Sequence, residues 1–197
     1  GTGTFSNLPT GSTTDLFAND GTLCLEDDSS GTGAIFFTSG EFENNGTTKV
    51  SANSTLSIGD FDNDGTITVD GTFSHGANEF FQRGKLKGSG TVNGNRIINQ
   101  GTTSPGNSPG MLTVNGEFVN DINGTLDIEL GGLMPGAEHD VLAVNGDLTL
   151  DGTLLLTPTD AFMPTTGQTF EIMTADSITG TFATVVGAGQ YTILVGS

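Results

Sequence analysis

One motif recurs along the first two-thirds of this 197-residue chain: an aromatic or apolar residue, then any residue, Asn, any residue, and Gly-Thr. Its copies, some of them degenerate, begin at Phe17, Phe42, Phe61, Phe80, Ile97 and Phe118. The three starts at 42, 61 and 80 follow one another at equal spacing. A repeat of roughly 20 residues with alternating apolar positions is typical of a solenoid, in which each coil buries its apolar face only by stacking on the next coil.

The alternation within each copy predicts which side chains face the interior. Successive side chains of a strand point to opposite faces, so the leucines that flank Cys24 point inward and Cys24 points outward. The same register places Lys49, Thr68 and Asp127 outward. We expect the recurring Phe side chains to stack on one another and the recurring Asn amides to form a hydrogen-bonded ladder. We expect the motif Gly to supply a turn position with positive φ.

The charge of the chain excludes two kinds of partner. The net charge is −18, with 23 acidic and 5 basic residues. Nucleic acids and anionic membrane surfaces both attract Lys and Arg, so this chain would be repelled by them. No apolar run approaches the ~18 residues of a membrane span. We therefore expect no nucleic-acid partner and no membrane insertion by this segment.

A turn-rich segment at 104–110 divides the chain into 1–103 and 104–197, which we interpret as two parts of one continuous domain. Residues 108–116 read SPGMLTVNG and residues 138–146 read EHDVLAVNG. They resemble the SPG-x-L-x-V-x-G segments of bacterial autotransporter passenger repeats and of related exported surface proteins. The resemblance covers about 104–186. It implies a right-handed parallel β-helix, secreted or held at the cell surface. With the repeats, it predicts an all-β chain with coils of roughly 19 residues and no significant helix.

The end of the chain contains further alternating segments. We predict strands at 168–173, 181–186 and 191–195, with loops or single turns at 161–164 and 174–178. The last segment carries Tyr191, Ile193 and Val195 on one face and has no charge. An uncapped solenoid end exposes unpaired strand edges, so we predict that these three residues support self-association.

One acidic segment is similar to the start of a calcium loop. Asp60, Asp62 and Asp64 alternate just before Gly65, and calcium prefers six to eight such oxygen ligands. Gly71, however, occupies the twelfth position, where calcium loops of this kind carry a bidentate Glu. The alternative is that the segment is another turn of the repeat. Calcium is the one cofactor that the sequence suggests.

The two histidines do not form a recognisable catalytic site. His139 lies between Glu138 and Asp140, which could form a metal site with it, but Asp140 stands where passenger repeats carry Asp at a strand start. We therefore favour a turn-capping role over a metal site. His75 has no such neighbours in sequence. The chain has no Gly-x-Ser-x-Gly nucleophile elbow, and Ser and Asp are too common here to indicate a triad. We expect no enzyme activity.

Four basic residues suggest an alternative function. Arg83, Lys85 and Lys87 alternate along one segment and would share a strand face, with Arg96 nearby. Such a face could bind an acidic polysaccharide, or support a polysaccharide lyase. A solvated face is the simpler interpretation, because the chain has no Trp and a single Tyr for sugar stacking.

Together these features predict an extracellular structural or adhesive protein without catalytic activity. Its expected partners are other copies of itself, the cell surface or the extracellular matrix. Self-assembly from head to tail would build a filament, a sheath or a surface layer.

Overall fold

The computed structural model describes residues 16–25, 34–159 and 161–187. Within these ranges the regular structure consists of β-strands, and no helix occurs, so none that could cross a membrane is found there. The strands are β1 (Leu16–Asn19), β2 (Thr22–Leu25), β3 (Ala34–Asn44), β4 (Thr47–Val50), β5 (Thr55–Asn63), β6 (Thr66–Val69), β7 (Thr72–His75), β8 (Phe80–Gln82), β9 (Lys85–Gly88), β10 (Thr91–Asn99), β11 (Thr102–Pro105), β12 (Met111–Asn120), β13 (Thr125–Leu130), β14 (Val141–Asn145), β15 (Asp147–Leu150), β16 (Thr153–Pro158), β17 (Met173–Thr174), β18 (Ser177–Gly180) and β19 (Thr184–Gly187).

The strands form two parallel sheets, and the chain passes from one to the other and back. The first sheet, sheet A, has the order β1-β3-β5-β7-β10-β12-β14-β17, with β8 beside β5 and β10, and with β15 between β12 and β18. The second, sheet B, has the order β2-β4-β6-β9-β11-β13-β16-β19. Both sheets continue across residue 104. The all-β prediction is confirmed for the described residues, and the arrangement is consistent with a β-solenoid.

The interior lies between the two sheets and follows the predicted alternation. In β13, Leu126, Ile128 and Leu130 are fully buried while the residues between them are half-buried. Burying a side chain of this size contributes roughly 1.5–3 kcal/mol. Cys24 and Lys49 are exposed, as predicted. Thr68 occupies the outward register position between Lys49 and Lys87 yet is only 9% exposed. The long aliphatic stems of flanking lysines can cover a small side chain in this way.

The spacing between register partners varies along the molecule. Asn44 and Asn63 are 19 residues apart, and Asn99 and Asn120 are 21 apart. Asn115 and Asn145 are 30 apart. Most of the additional residues lie in the loop 131–140, which connects β13 to β14. The stack therefore keeps its register while one connection lengthens.

The motif glycines do not supply positive φ, contrary to our expectation. Gly46, Gly65 and Gly84 lie outside the left-handed region, which is occupied instead by glycines such as Gly116 and Gly146. A Cβ on Gly65 would collide with the backbone carbonyl oxygen of Gly46, and a Cβ on Gly84 with that of Gly65. Glycine is needed here because successive turns stack backbone on backbone.

The structure also changes the predicted pattern at 161–187. Residues 168–172, predicted as a strand, form a connection, and only Met173–Thr174 pairs with β14. Residues 177–180, of which 177 and 178 belong to a predicted loop, form β18. Isolated hydrogen bonds, rather than a strand ladder, hold this connection against sheet A. In one of them the Leu142 amide donates to the Ile172 carbonyl oxygen at 3.0 Å. Residues 191–195 lie outside the described ranges.

Candidate functional site

A ladder of side-chain amides runs through the buried corner of the stack. Asn19 Nδ2 donates to Asn44 Oδ1 at 2.8 Å, Asn44 Nδ2 donates to Asn63 Oδ1 at 2.6 Å, and Asn63 donates to Gln82. A second stretch joins Asn99 Nδ2 to Asn120 Oδ1 at 2.7 Å. Asn44, Asn63 and Gln82 are completely buried. The predicted Asn ladder is confirmed, and it satisfies polar groups that burial would otherwise destabilise.

The recurring Phe side chains form an aromatic column beside this ladder. The ring centroids of Phe42 and Phe61 lie 5.5 Å apart in a stacked arrangement, and those of Phe61 and Phe80 lie 5.2 Å apart. Phe73 contacts both Phe61 and Phe80. Ile97 and Phe118 follow Phe80 in register. The predicted stacking is confirmed over Phe42, Phe61 and Phe80.

His75 belongs to this aromatic cluster. Its imidazole is buried beside Phe73 and Phe80, and neither ring nitrogen has a hydrogen-bond partner within distance. Burial lowers the pKa of His75 to about 4, with the backbone of Ala77 acting in the opposite direction. The glycine at position 94 leaves the necessary space, because a Cβ there would collide with Nε2 of the ring. His75 is thus a neutral packing residue.

Asp140 holds together the two segments that carry the resemblance to passenger repeats. The Asp140 carboxylate accepts hydrogen bonds from the Gly110 and Glu129 amides, each at 2.9 Å. Burial raises the pKa of Asp140 to about 6, against the two amide bonds, and the nearby Glu129 and Asp127 add to the rise. The predicted turn-capping role of Asp140 is confirmed.

His139 links the loop 131–140 to the segment just before β17, a contact that the sequence does not predict. Its Nδ1 lies 3.1 Å from the Gly132 carbonyl oxygen and its Nε2 lies 3.1 Å from that of Glu171, and the ring packs edge-on against Phe170. The side chain is completely buried. Both ring nitrogens therefore face backbone carbonyls, which leaves no nitrogen for a metal or for proton transfer to a substrate.

The three aspartates of the predicted calcium segment do not converge. Asp60 and Asp62 point outward from β5, and Asp64 lies in the following turn. Arg83 Nη1 lies 2.9 Å from Asp62 and 3.6 Å from Asp64, so one guanidinium offsets one of the two negative charges of this pair. In the described ranges no group of three His, Cys, Asp or Glu residues is arranged to hold a metal. Calcium binding by this segment stays a prediction.

The four predicted basic residues separate into two groups, because a turn at Gly84 interrupts the expected strand. Arg83 lies between β8 and β9, pairs with Asp62, and covers the ring of Phe81 at 5.2 Å. Arg96 lies on β10 and pairs with Glu79 at 3.0 Å. The expectation of one face shared with Lys85 and Lys87 is therefore wrong for Arg83.

Lys85 and Lys87 lie on β9 in sheet B, and the register brings Lys49 to their face. Lys49 and Lys87 each stand three residues after a motif glycine, Gly46 and Gly84. This common distance from the motif glycine is the sequence signal that predicts a shared face for Lys49 and Lys87.

The ends of the described sheets present strand edges. Among the described residues, β17, β18 and β19 each pair on one side, with β14, β15 and β16 respectively. Val185 and Val186 of β19 are 43% and 46% exposed. Tyr191, Ile193 and Val195, the predicted self-association residues, lie outside the described ranges. No protein-family model matches this sequence, and neither a curated protein nor a solved structure matches it.

Proposed function

We propose that this chain is an extracellular structural or adhesive rod, a right-handed parallel β-helix without catalytic activity. The proposal rests on one observation, which is what the buried polar side chains of the interior do. Buried polar side chains such as Asn44 and Asn63 hydrogen-bond from one coil to the next. The two buried groups whose pKa values are shifted, His75 and Asp140, serve packing and capping. The polar chemistry of the interior thus maintains the stack.

The finer features of the fold belong to the same proposal. Coils of roughly 19 residues fit the partners Asn44 and Asn63, and longer coils follow where connections lengthen. The right-handed sense of the β-helix is proposed from the resemblance of 104–186 to passenger repeats. Contacts between Asp140 and Gly110 give that resemblance a physical basis, because the carboxylate of one segment caps the turn of the other.

Surface location and export follow from the same resemblance and from the acidity of the chain. A net charge far from zero keeps an elongated, repeat-built protein soluble, and cations of the medium screen its self-repulsion. The partners of this rod are other copies of itself, the cell surface or the matrix.

End-to-end association is the expected mode of assembly. A strand edge with free N–H and C=O groups is a template for another strand, and parallel stacking already provides the geometry. The exposed face of β19 supplies apolar surface at this edge, and the apolar, uncharged segment 191–195 follows β19 in sequence. A copy joined in this way would extend both sheets.

The test is sedimentation velocity with electron microscopy of the purified chain over a range of concentrations, with and without calcium. We expect rods whose length increases with concentration. Val186→Lys, which places a charge on the edge strand, should shorten them. Leu155→Lys is the matched control, because Leu155 is the register partner of Val186 one strand further inside. Monomers at every concentration, or equal lengths for both variants, would contradict the proposal.

A further inference from the structure

Three of the five basic residues of the chain share one outer face. Lys49 and Lys87 occupy the same outward row of sheet B, with Thr68 between them, and Lys85 lies two residues before Lys87. We call these three residues the lysine face. Their neighbours in the adjoining row are hydroxyl residues, Thr66 and Thr102 among them. Within the described ranges none of the three lysines forms an ion pair, whereas both arginines do.

The outer face of sheet A is acidic along the same part of the chain. Glu41 and Asp60 are register partners on neighbouring strands, and so are Glu43 and Asp62. We call these four residues the acidic face. Only Asp62 has an ion-pair partner among the described residues. Like charges directly opposite one another on adjacent strands destabilise a sheet, so this face gains from a cation placed over it.

The two faces lie on the outer surfaces of the two sheets in the same part of the stack. The acidic face lies on β3 and β5 of sheet A, while Lys49 lies on β4, which directly follows β3, and Lys85 and Lys87 lie on β9. Across the strands, Lys49 and Lys87 are two strands apart with Thr68 between them, whereas Glu41 and Asp60 lie on adjacent strands. Along the strand, Lys85 and Lys87 are two residues apart, and so are Glu41 and Glu43, so charges of opposite sign share this spacing on the two faces.

We propose that the lysine face of one copy binds the acidic face of a second copy, side by side. Because the two surfaces differ, each copy keeps one of them free for a further copy, and the contact repeats from copy to copy when the rotation between copies does not close a ring. Lateral growth of this kind turns single rods into a layer. The inference rests on the proposed structural function and adds a second direction of assembly to it.

A second copy fits the lysine face better than an acidic polysaccharide does. The chain has no Trp, and its single Tyr lies outside the described ranges, so no Trp or Tyr among the described residues accompanies the lysines as a platform for a sugar. The acidic face, by contrast, offers carboxylates two residues apart along a strand, which is the spacing of Lys85 and Lys87. The repulsion between two copies of net charge −18 acts over longer distances and is screened beyond about 8 Å at physiological salt.

The test reverses each face separately. One variant carries Lys49→Glu, Lys85→Glu and Lys87→Glu, and the other carries Glu41→Lys, Glu43→Lys and Asp60→Lys. Sedimentation velocity in 0.15 M salt should show lateral association at least about tenfold weaker for either variant alone, because each then opposes like charges. An equimolar mixture should recover association, because the reversed faces complement each other. Wild-type association should also decline in 1 M salt.

Two further variants control for net charge and for folding. The neutral triple variant Lys49→Gln, Lys85→Gln and Lys87→Gln changes the net charge by three. A control with Asn123→Glu, Thr166→Glu and Thr169→Glu makes the same change at exposed positions outside the strands and away from both faces. The first should weaken lateral association and the second should not. If a reversed variant does not fold by circular dichroism, this neutral comparison decides the question.

Several results would overturn the inference. They are a wild-type chain that never associates laterally, reversed variants that associate like wild type, and a mixture that does not recover. A lysine-dependent complex with polygalacturonate, formed by a wild-type chain without lateral contacts, would assign the face to a polysaccharide instead. If the rods grow only in length and form no lateral contacts, this inference is wrong, while the proposed end-to-end association stands. Val186→Lys should retain lateral association, so the two modes of assembly are distinguishable.

Discussion

Asn99 is the register partner of Gln82 in the next coil, yet no hydrogen bond joins their side chains. Gln82 Nε2 donates instead to the carbonyl oxygens of Gly84 and Thr102, at 2.8 and 3.1 Å. Asn99 Oδ1 is left buried without a partner. The amide ladder that begins at Asn19 is therefore interrupted at one point, where a side chain longer by one methylene replaces Asn.

Gln82→Asn should repair this interruption. The shorter amide can donate to Asn99 Oδ1, as Asn44 does to Asn63, and this removes an unsatisfied buried acceptor. We expect a gain of about 1 kcal/mol, or a rise in Tm of about 2–4 °C for a chain of this size. Asn63→Gln, which places the longer side chain in an unbroken part of the ladder, should lower Tm. An unchanged or lower Tm for Gln82→Asn would count against the ladder as a stabilising element.

Two buried threonines provide a second comparison. Thr103 Oγ1 has no hydrogen-bond partner, whereas Thr48 Oγ1 donates to Asn44 Oδ1 at 3.0 Å. Thr103→Val should be neutral or stabilising by up to about 1 kcal/mol, and Thr48→Val should destabilise by about the same amount. Denaturant unfolding of both variants measures the difference. Equal effects of the two substitutions would show that the hydroxyl environments are not as described.

The stability of the chain in mild acid should depend on His75. Its folded pKa of about 4 lies below the ordinary histidine value of 6.5, so the unfolded chain takes up this proton first as the pH falls. The contribution of neutral His75 is therefore present above pH 6.5 and is lost as pH falls towards about 4. Asp140, with its pKa raised to about 6, acts in the opposite direction, since its contribution is present at low pH and lost as pH rises through about 6.

His75→Leu isolates the histidine, because Asp140 is common to both chains. The difference in Tm between variant and wild type should increase in favour of the variant between pH 6.5 and 4. Thermal melts at half-unit steps measure it. A difference that stays constant over this range would contradict the buried, unpaired state of the imidazole.

The motif glycines offer a steric test. A Cβ on Gly65 would collide with the Gly46 carbonyl oxygen, but one on Gly21 would meet no atom within 4 Å among the described residues. Gly65→Ala should lower the free energy of unfolding by more than about 2 kcal/mol, because the backbone at Gly46 in the neighbouring coil must move. Gly21→Ala should change stability by less than about 0.5 kcal/mol. Similar effects of the two substitutions would argue against close stacking of the turns.

The sequence predicts the interior well where the repeat is regular. The positions of Phe42, Phe61 and Phe80, and of Asn44 and Asn63, are set by one motif, and the stack brings each copy over the last. The alternation then assigns Leu126 and Ile128 to the core. Local spacing was sufficient because each coil contacts mainly its neighbours.

Prediction failed where the structure depends on contacts between distant segments. The pairing of Arg83 with Asp62 and the clamp of His139 on Glu171 join residues 21 and 32 positions apart. The motif glycines were assigned the wrong role, because a sequence does not distinguish a turn that needs positive φ from one that needs an absent Cβ. Apolar and polar residues alternate over 168–172 as in a strand, yet this segment forms no strand and is held by isolated contacts.

The most direct test of the stacked register uses the one cysteine of the chain. Cys24 and Lys49 are exposed register partners on β2 and β4. Paired strands lie about 4.8 Å apart, which is within the Cα separation of a disulfide, about 4.4–6.8 Å. Lys49→Cys should therefore form an internal disulfide with Cys24 on mild oxidation, seen by mass spectrometry of the monomer. Thr68→Cys, two strands from Cys24, should not. A Lys49→Cys chain with two free thiols, or with only intermolecular bonds, would contradict the account.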